Sequence, residues 1–493
     1  MSIQGIDPRT GSPVGDAVPA TDPQPLLAAA ADAFGAFKTT TPGVRAELLT
    51  LLADRLDAAA ATLVPLAMAE SGLPEARLTG ELARTSAQLR LFASVVTEGA
   101  YLEAILEDAD PTATPPRPVL ARMLEPIGPV LVYAASNFPF AFSVLGGDTA
   151  SALAAGAPVL VKAHGSHPGL SRAVASLAAR AVADAGLPAG VFGIVFGDDE
   201  GVTALKDPRV KAAGFTGSTK GGRFLFDVAS ARPDPIPFFG ELGSINPTVV
   251  TPAALAARAD DIVTGFVGSF TLGTGQFCTK PGLLFLPAGH GLGPALTAAV
   301  AATPPAPLLN ARIGDQLASG LAELAARDGV TVLATAADAP AEGSWASAQL
   351  FTTTAPALAE DPSLTDEHFG PAALIVEYRD EDDLFAALAT VEGSLTATVH
   401  GEAGDPFPVA RLLSVLADRA GRIIWNGWPT GVAVSHAMSH GGPWPSTTNA
   451  SHTSVGTTSI RRWLRPVTFQ SVPDALLPPA LQAANPWHLP RRE

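Results

Sequence analysis

Apolar positions between residues 25 and 98 recur at helical intervals. Leu48, Leu51, Leu52 and Leu56 form one stripe, and Leu82, Leu89, Phe92 and Val95 form another, which predicts a helical opening to the chain. Residues 1–25 are rich in Pro, Gly and Asp and predict an extended arm. A Pro/Thr/Asp-rich connector covers 108–118, and the apolar run at 118–124 predicts a strand leaving the main body as a hairpin. From Gly128 the pattern changes. Short apolar runs at 129–133, 158–162, 191–196 and 210–215 alternate with helical stretches at 142–155 and 171–184. Ser171 is the expected cap of the second helix and Gly186 its end. Strands separated by helices imply right-handed crossovers and a mostly parallel sheet, which binds nucleotides at its carboxyl edge. A further α/β stretch runs over 240–432, and a strand-like run returns at 463–469. The fold class is α/β, without internal repeats.

Composition narrows the partners. A chain of 493 residues predicts two or three domains, and 47% hydrophobic content allows large cores. Only 16% of residues are charged and the net charge is −16, which argues against nucleic acid or an anionic membrane as partner. No window predicts a membrane span, and the first residues lack the pattern of a signal peptide. A single cysteine excludes a disulfide framework and suits a reducing cytoplasm.

That cysteine, Cys278, lies in Gly273-Thr-Gly-Gln-Phe-Cys278-Thr-Lys-Pro-Gly282. Flanking glycines suit a positioned nucleophile, while a free cysteine is otherwise a small buried hydrophobe. Asn137 follows a strand run and either donates to an oxyanion or forms an Asx-turn before Pro139. Gly217 and Ser218 also follow a strand run and open a helix, an arrangement suited to a pyrophosphate, although no G-x-G-x-x-G is present. Glu241 stands between Gly240 and Gly243 in an apolar stretch. Desolvation would raise its pKa and make it a general base; a structural, paired carboxylate is the alternative. Glu367 and Phe369 precede a Gly-Pro break and suit a ribose and a flat ring, or a turn with a core aromatic.

Taken in order, Asn137-Phe-Pro, Lys162, Phe-Thr-Gly217-Ser218, Glu241-Leu-Gly-Ser, Gly-Gln-Phe-Cys278 and Glu367-x-Phe369-Gly-Pro resemble the NAD(P)-dependent aldehyde dehydrogenase superfamily over residues 20–470. The resemblance implies a cofactor domain (1–109 and 128–239), a catalytic domain (240–433), an oligomerisation arm (110–127 and 455–475) and C-terminal segments (434–454 and 476–493). It implies a homo-oligomer, dimer or tetramer, acting on a small aldehyde. It makes Cys278 the nucleophile, Glu241 the base, and Asn137 with the Cys278 N–H the oxyanion hole. Lys162 would hold the adenosine ribose, Ser218 cap the pyrophosphate, and Glu367 with Phe369 position the nicotinamide half.

Many NAD-preferring members carry a Glu at the position of Gly165. Its loss, with Ser166 and Lys162 as donors, allows NADP as well as NAD. The segments at 164–169, 431–436, 440–446 and 453–467 look most like members acting on 2,5-dioxopentanoate, with long-chain aldehydes as the alternative substrate. A coenzyme A-acylating relative and a silent homologue are disfavoured by the presence of Glu241, Cys278 and Asn137. Lys280 is the nearest cation to the nucleophile in sequence; it either reads a substrate carboxylate or points away. No metal is expected, because Gly441-Gly-Pro ends any helix that would align His436 with His440.

Overall fold

The computed structural model describes residues 2–492. Four helices open the main body: Pro23–Lys38, Pro42–Ala58, Ala60–Ser71 and Glu75–Glu98. Thr41 caps the second through Val44 N, and Pro42 occupies its first turn, where a missing N–H costs nothing. Leu48, Leu52, Leu56, Leu82, Leu89 and Phe92 are all buried in one core. Within the expected extended arm, residues 2–19 form a strand pair. Ser2–Ile6 pairs antiparallel with Pro13–Pro19, and Val18 packs on Ala163 and Phe196.

The first sheet has five parallel strands, in the order Phe192–Val195, Val159–Lys162, Val130–Tyr133, Ala212–Thr216 and Phe238–Glu241. Its central strands read Val-Leu-Val-Tyr and Val-Leu-Val-Lys and are buried at every position, as covering both faces of a parallel sheet requires. The chain builds outward from Val130–Tyr133 on one side, then returns to add strands on the other. That reversal makes a crevice at the carboxyl edge. Asn137, Lys162, Gly217 and Glu241 all lie at or just beyond strand ends on this edge.

Two helix expectations need correction. Residues 142–146 are not helical; the helix is Gly147–Ala155. The buried Glu81 carboxylate accepts from Phe140 N (2.8 Å) and Ala141 N (3.0 Å), and Ala141 O then accepts from Gly147 N, which folds the approach into a tight loop. Ser171 is not a cap, since its helix runs Pro168–Asp184. The first amides of that helix without a partner in it, Gly169 N and Leu170 N, donate to Glu70 at 2.8 Å each, so a carboxylate from another helix satisfies its start.

The second sheet has seven strands, in the order Thr331–Thr335, Gln349–Thr354, Ala372–Tyr378, Leu283–Pro287, Pro247–Val250, Ser394–His400 and Ala420–Trp425. Only the first is antiparallel to its neighbour. A four-stranded sheet joins Leu464–Gln470, Leu120–Pro126, Ala104–Glu107 and Arg491–Arg492. It therefore takes in strands outside 110–127 and 455–475. Within 455–475, Ile460 and Trp463 are buried in the first core instead.

Candidate active site

The Cys278 loop is shaped by its own backbone and by one buried amide. Gly273, Thr274 and Gly275 all adopt positive φ, and a Cβ on Gly275 would lie 2.1 Å from Gly370 O. Glycine there lets the 367–371 segment lie directly against the loop. Asn246, fully buried, donates from Nδ2 to Cys278 O (2.8 Å) and Lys280 O (2.9 Å). Its Oδ1 accepts from Ser244 Oγ (2.6 Å) and Thr396 N (3.1 Å), so the loop is tied to strand Ser394–His400 of the second sheet.

Cys278 and Glu241 meet through a third residue, His440. The Nε2 atom of His440 is 3.4 Å from Cys278 Sγ and 3.0 Å from Glu241 Oε1. One atom from each of the three residues lies within 4.8 Å of the other two. Ser454 Oγ donates to the second oxygen, Glu241 Oε2. Thr453 and Ser454 also hold the His440 backbone, through His440 N to Thr453 Oγ1 (2.7 Å) and Ser454 N to His440 O (2.9 Å).

These contacts reverse the expected state of Glu241. Burial raises its pKa, but His440, the Ser454 hydroxyl and the Cys278 thiol outweigh burial and hold it below the ordinary carboxylate range. The direction is that of a carboxylate held by its partners, not of a carboxyl kept neutral by desolvation. The thiol shifts the other way. Burial pushes Cys278 well above the usual thiol range, the Glu241 and Glu367 charges add to this, and Arg422 opposes it.

Asn137 is buried against the same loop, and Nδ2 donates to Gln276 O at 3.0 Å. Its amide has a second hydrogen. The Asn137 carbonyl accepts from Arg77 Nη2 (2.6 Å), whose guanidinium is stacked on Phe138 and Phe277, 4.9 and 4.6 Å from their ring centres. Lys280 does not face a substrate space. It is buried and donates to His368 O (2.6 Å) and Ala372 O (2.8 Å). Glu367 and Phe369 are half-buried beside the loop. Burial pushes Glu367 up to about 7, against the pull of the Lys280 charge and the Ser244 amide.

The remaining residues form a more open edge. Lys162 is buried except at its tip, which pairs with the exposed Asp198. Gly165 is exposed, and a Cβ there would meet nothing closer than Ile3 Cγ2 at 3.9 Å. Ser166 Oγ accepts from Asn310 Nδ2 (2.9 Å). Ser218 caps the helix Thr219–Ser230 through Gly221 N (3.2 Å), and both Gly217 and Ser218 face solvent. An accessible helix N-terminus and a lysine beside an open glycine fit the phosphates and ribose of a dinucleotide.

Sequence reasoning missed His440, Ser454, Asn246 and Arg84. In sequence His440 pairs with His436 as a possible metal ligand and lies in a stretch, 436–446, able to donate to substrate, but His436 faces Thr457 Oγ1 (3.5 Å) and takes no part in the site. Its signal was present in the His440-Gly-Gly-Pro segment, but no spacing rule joins residues 241, 278 and 440. Arg84 lies on helix Glu75–Glu98, 5.5 Å from the Phe142 ring centre, and its Nη2 is buried without a hydrogen-bond partner.

The aldehyde dehydrogenase family model matches residues 1–466. The alpha-ketoglutaric semialdehyde dehydrogenase 2 of Azospirillum brasilense is 46% identical over 500 aligned positions, covering 99% of this chain and 95% of that protein. The alpha-ketoglutaric semialdehyde dehydrogenase of Acinetobacter baylyi is 39% identical, covering 99% and 97%. Among solved structures, an E. coli NADP-dependent enzyme superposes with a TM-score of 0.79 at 23% identity, over 95% of this chain and 94% of that one. With one family model spanning nearly the whole chain, this protein belongs to the aldehyde dehydrogenase family and oxidises an aldehyde with a nicotinamide cofactor.

Proposed function

We propose that the protein oxidises 2,5-dioxopentanoate (alpha-ketoglutaric semialdehyde) to 2-oxoglutarate. The observation that carries this reading is 46% identity, along almost the entire length, to a relative named for that substrate. A keto acid needs cationic or donor groups near the nucleophile. Arg84 meets that need better than Lys280, because its Nη2 lacks a partner and its charge couples to both Cys278 and Glu241.

In this reading the Cys278 thiolate bonds to the aldehyde carbon. Asn137 Nδ2 and the Cys278 N–H, which makes no hydrogen bond among the described residues, receive the new oxyanion. A bound nicotinamide would supply the hydride acceptor. Glu241 then takes a proton from water as the water oxygen attacks the thioester carbon and the C–S bond breaks. Lys162, Ser166, Gly217 and Ser218 hold the adenosine and pyrophosphate part, while Glu367 and Phe369 orient the nicotinamide half. Open space at Gly165 admits a 2′-phosphate, so NADP serves as well as NAD.

The five-stranded sheet carries the cofactor part and the seven-stranded sheet the thiol part. The edge strand Leu464–Gln470 and the exposed Leu476 support a homo-oligomer. Among the described residues no helix is long and apolar enough to cross a membrane; together with the lone free cysteine this supports a cytoplasmic setting.

Initial rates with 2,5-dioxopentanoate, glutarate semialdehyde and decanal, each with NAD and NADP, test the assignment. The dioxo acid should give the highest kcat/KM, unaffected by coenzyme A. Faster turnover of decanal would replace it with a fatty-aldehyde reading.

A further inference from the structure

The roles above leave one fully buried group at the reacting sulfur without a task. His440 has no exposed surface, and its Nε2 stands between Sγ of Cys278 and Oε1 of Glu241. We propose that His440 is a catalytic residue whose Nε2 takes the Cys278 thiol proton and, as an imidazolium, holds the thiolate beside the Glu241 carboxylate.

The argument begins with charge. A thiolate formed next to an ionised carboxylate in a packed corner is opposed by desolvation and by repulsion. Other charged groups face the sulfur from every side: Glu367 from the segment against the loop, Arg422 from strand Ala420–Trp425, and Arg84 from helix Glu75–Glu98. Glu367 has the wrong sign. Arg422 is committed to Pro429 O (2.7 Å) and Gly431 O (3.0 Å), and neither arginine hydrogen-bonds the sulfur. Among the described residues, His440 is the basic side chain within hydrogen-bond distance of Sγ.

The transfer leaves the local charge unchanged. The S–H bond breaks, its electron pair stays on sulfur, and an Nε2–H bond forms. Before transfer the three groups carry one negative charge on Glu241. Afterwards they carry a thiolate, a carboxylate and an imidazolium, again one net negative charge. In one neutral tautomer the ring donates Nε2–H to Oε1 at 3.0 Å; the acceptor tautomer carries its proton on Nδ1, an atom without a hydrogen-bond partner among the described residues, and turns a bare Nε2 lone pair toward Oε1. That repulsion disappears once Nε2 is protonated, because the new N–H is shared between sulfur and carboxylate. When the thioester is hydrolysed the sulfur departs as thiolate and meets the same imidazolium. The ion pair is thus restored without a proton from solvent. Thr453 and Ser454 hold the ring in place by fixing its backbone.

The test is alkylation of Cys278 by iodoacetamide as a function of pH, with neither aldehyde nor cofactor present. Cys278 is the chain's one cysteine, so the rate reports a single site, and the result does not depend on which aldehyde is the substrate. In His440→Gln the midpoint should rise by at least about one pH unit, slowing alkylation at neutral pH about tenfold or more. Added imidazole should restore part of the rate in His440→Ala. His440→Asn, with thermal unfolding followed alongside, serves the same comparison if the Gln variant folds poorly. An unchanged midpoint in a folded variant overturns the proposal. So does a midpoint that rises with Glu241→Gln but not with His440→Gln, which would place the thiol proton on the carboxylate.

Discussion

The reactive corner and the cofactor edge both begin at the carboxyl ends of the first sheet, but they are built differently. At the corner, Glu241 and His440 are sealed, and each Glu241 oxygen is bound by a residue about 200 positions away, His440 or Ser454. At the edge, Gly165, Gly217 and Ser218 face solvent, and Ser218 bonds within its own helix turn. Chemistry in the corner depends on fixed charges in a low-dielectric space, where one lost partner is costly. Recognition at the edge depends on open space and backbone donors, which tolerate substitution. On the proposed roles, the difference places reaction type in the sealed region and cofactor choice in the open one.

The contrast can be broken most sharply at Glu241. Glu241→Gln should still give a first burst of reduced cofactor, followed by a steady state about 10²–10⁴-fold slower, because deacylation loses its base. An unaffected steady-state rate by stopped-flow absorbance would remove Glu241 from deacylation. A smaller effect should come from the wall of the corner. Arg84→Leu should raise KM for 2,5-dioxopentanoate about tenfold to about 100-fold, the range expected for a charge-assisted hydrogen bond of about 1.5–3 kcal/mol. An uncharged aldehyde of similar length should change little; equal losses on both would make Arg84 structural. The smallest effect belongs to the open edge. Gly165→Glu should weaken NADP about tenfold and spare NAD, since a screened carboxylate beside a 2′-phosphate repels only modestly. Equal loss with both cofactors, measured by fluorescence titration, would move Gly165 away from the adenosine ribose.

The same contrast explains what was legible in the chain. The α/β class, the opening helices and the strands flanking Asn137, Lys162 and Gly217 follow from local periodicity and turn chemistry. Most edge residues belong to short motifs, so their positions can be read one segment at a time. The corner cannot be read this way. Glu241 looked like a raised-pKa base because its flanks are apolar, and its true partners are distant in sequence. Lys280, two residues from Cys278, suits either a substrate carboxylate or a direction away from it, and only the turn after the cysteine, which aims it at the His368 and Ala372 carbonyls, decides for the second. Ser171 is not a cap because its helix begins earlier, at Pro168, where Glu70 from another helix accepts from the first free amides.

The edge strand Phe238–Glu241 is not finished by its own neighbourhood. Thr447 bridges Glu241, Leu242 N donates to Ser446 O (2.8 Å), and Gly240 N donates to Thr448 Oγ1 (2.8 Å). Residues 440–454 thus stitch the late chain to the sheet edge that bears the Glu241 carboxylate. During synthesis the thiol and the carboxylate leave the ribosome long before the histidine and serine that hold them. A nascent chain therefore carries its cysteine without these surroundings until residues 440–454 have been made.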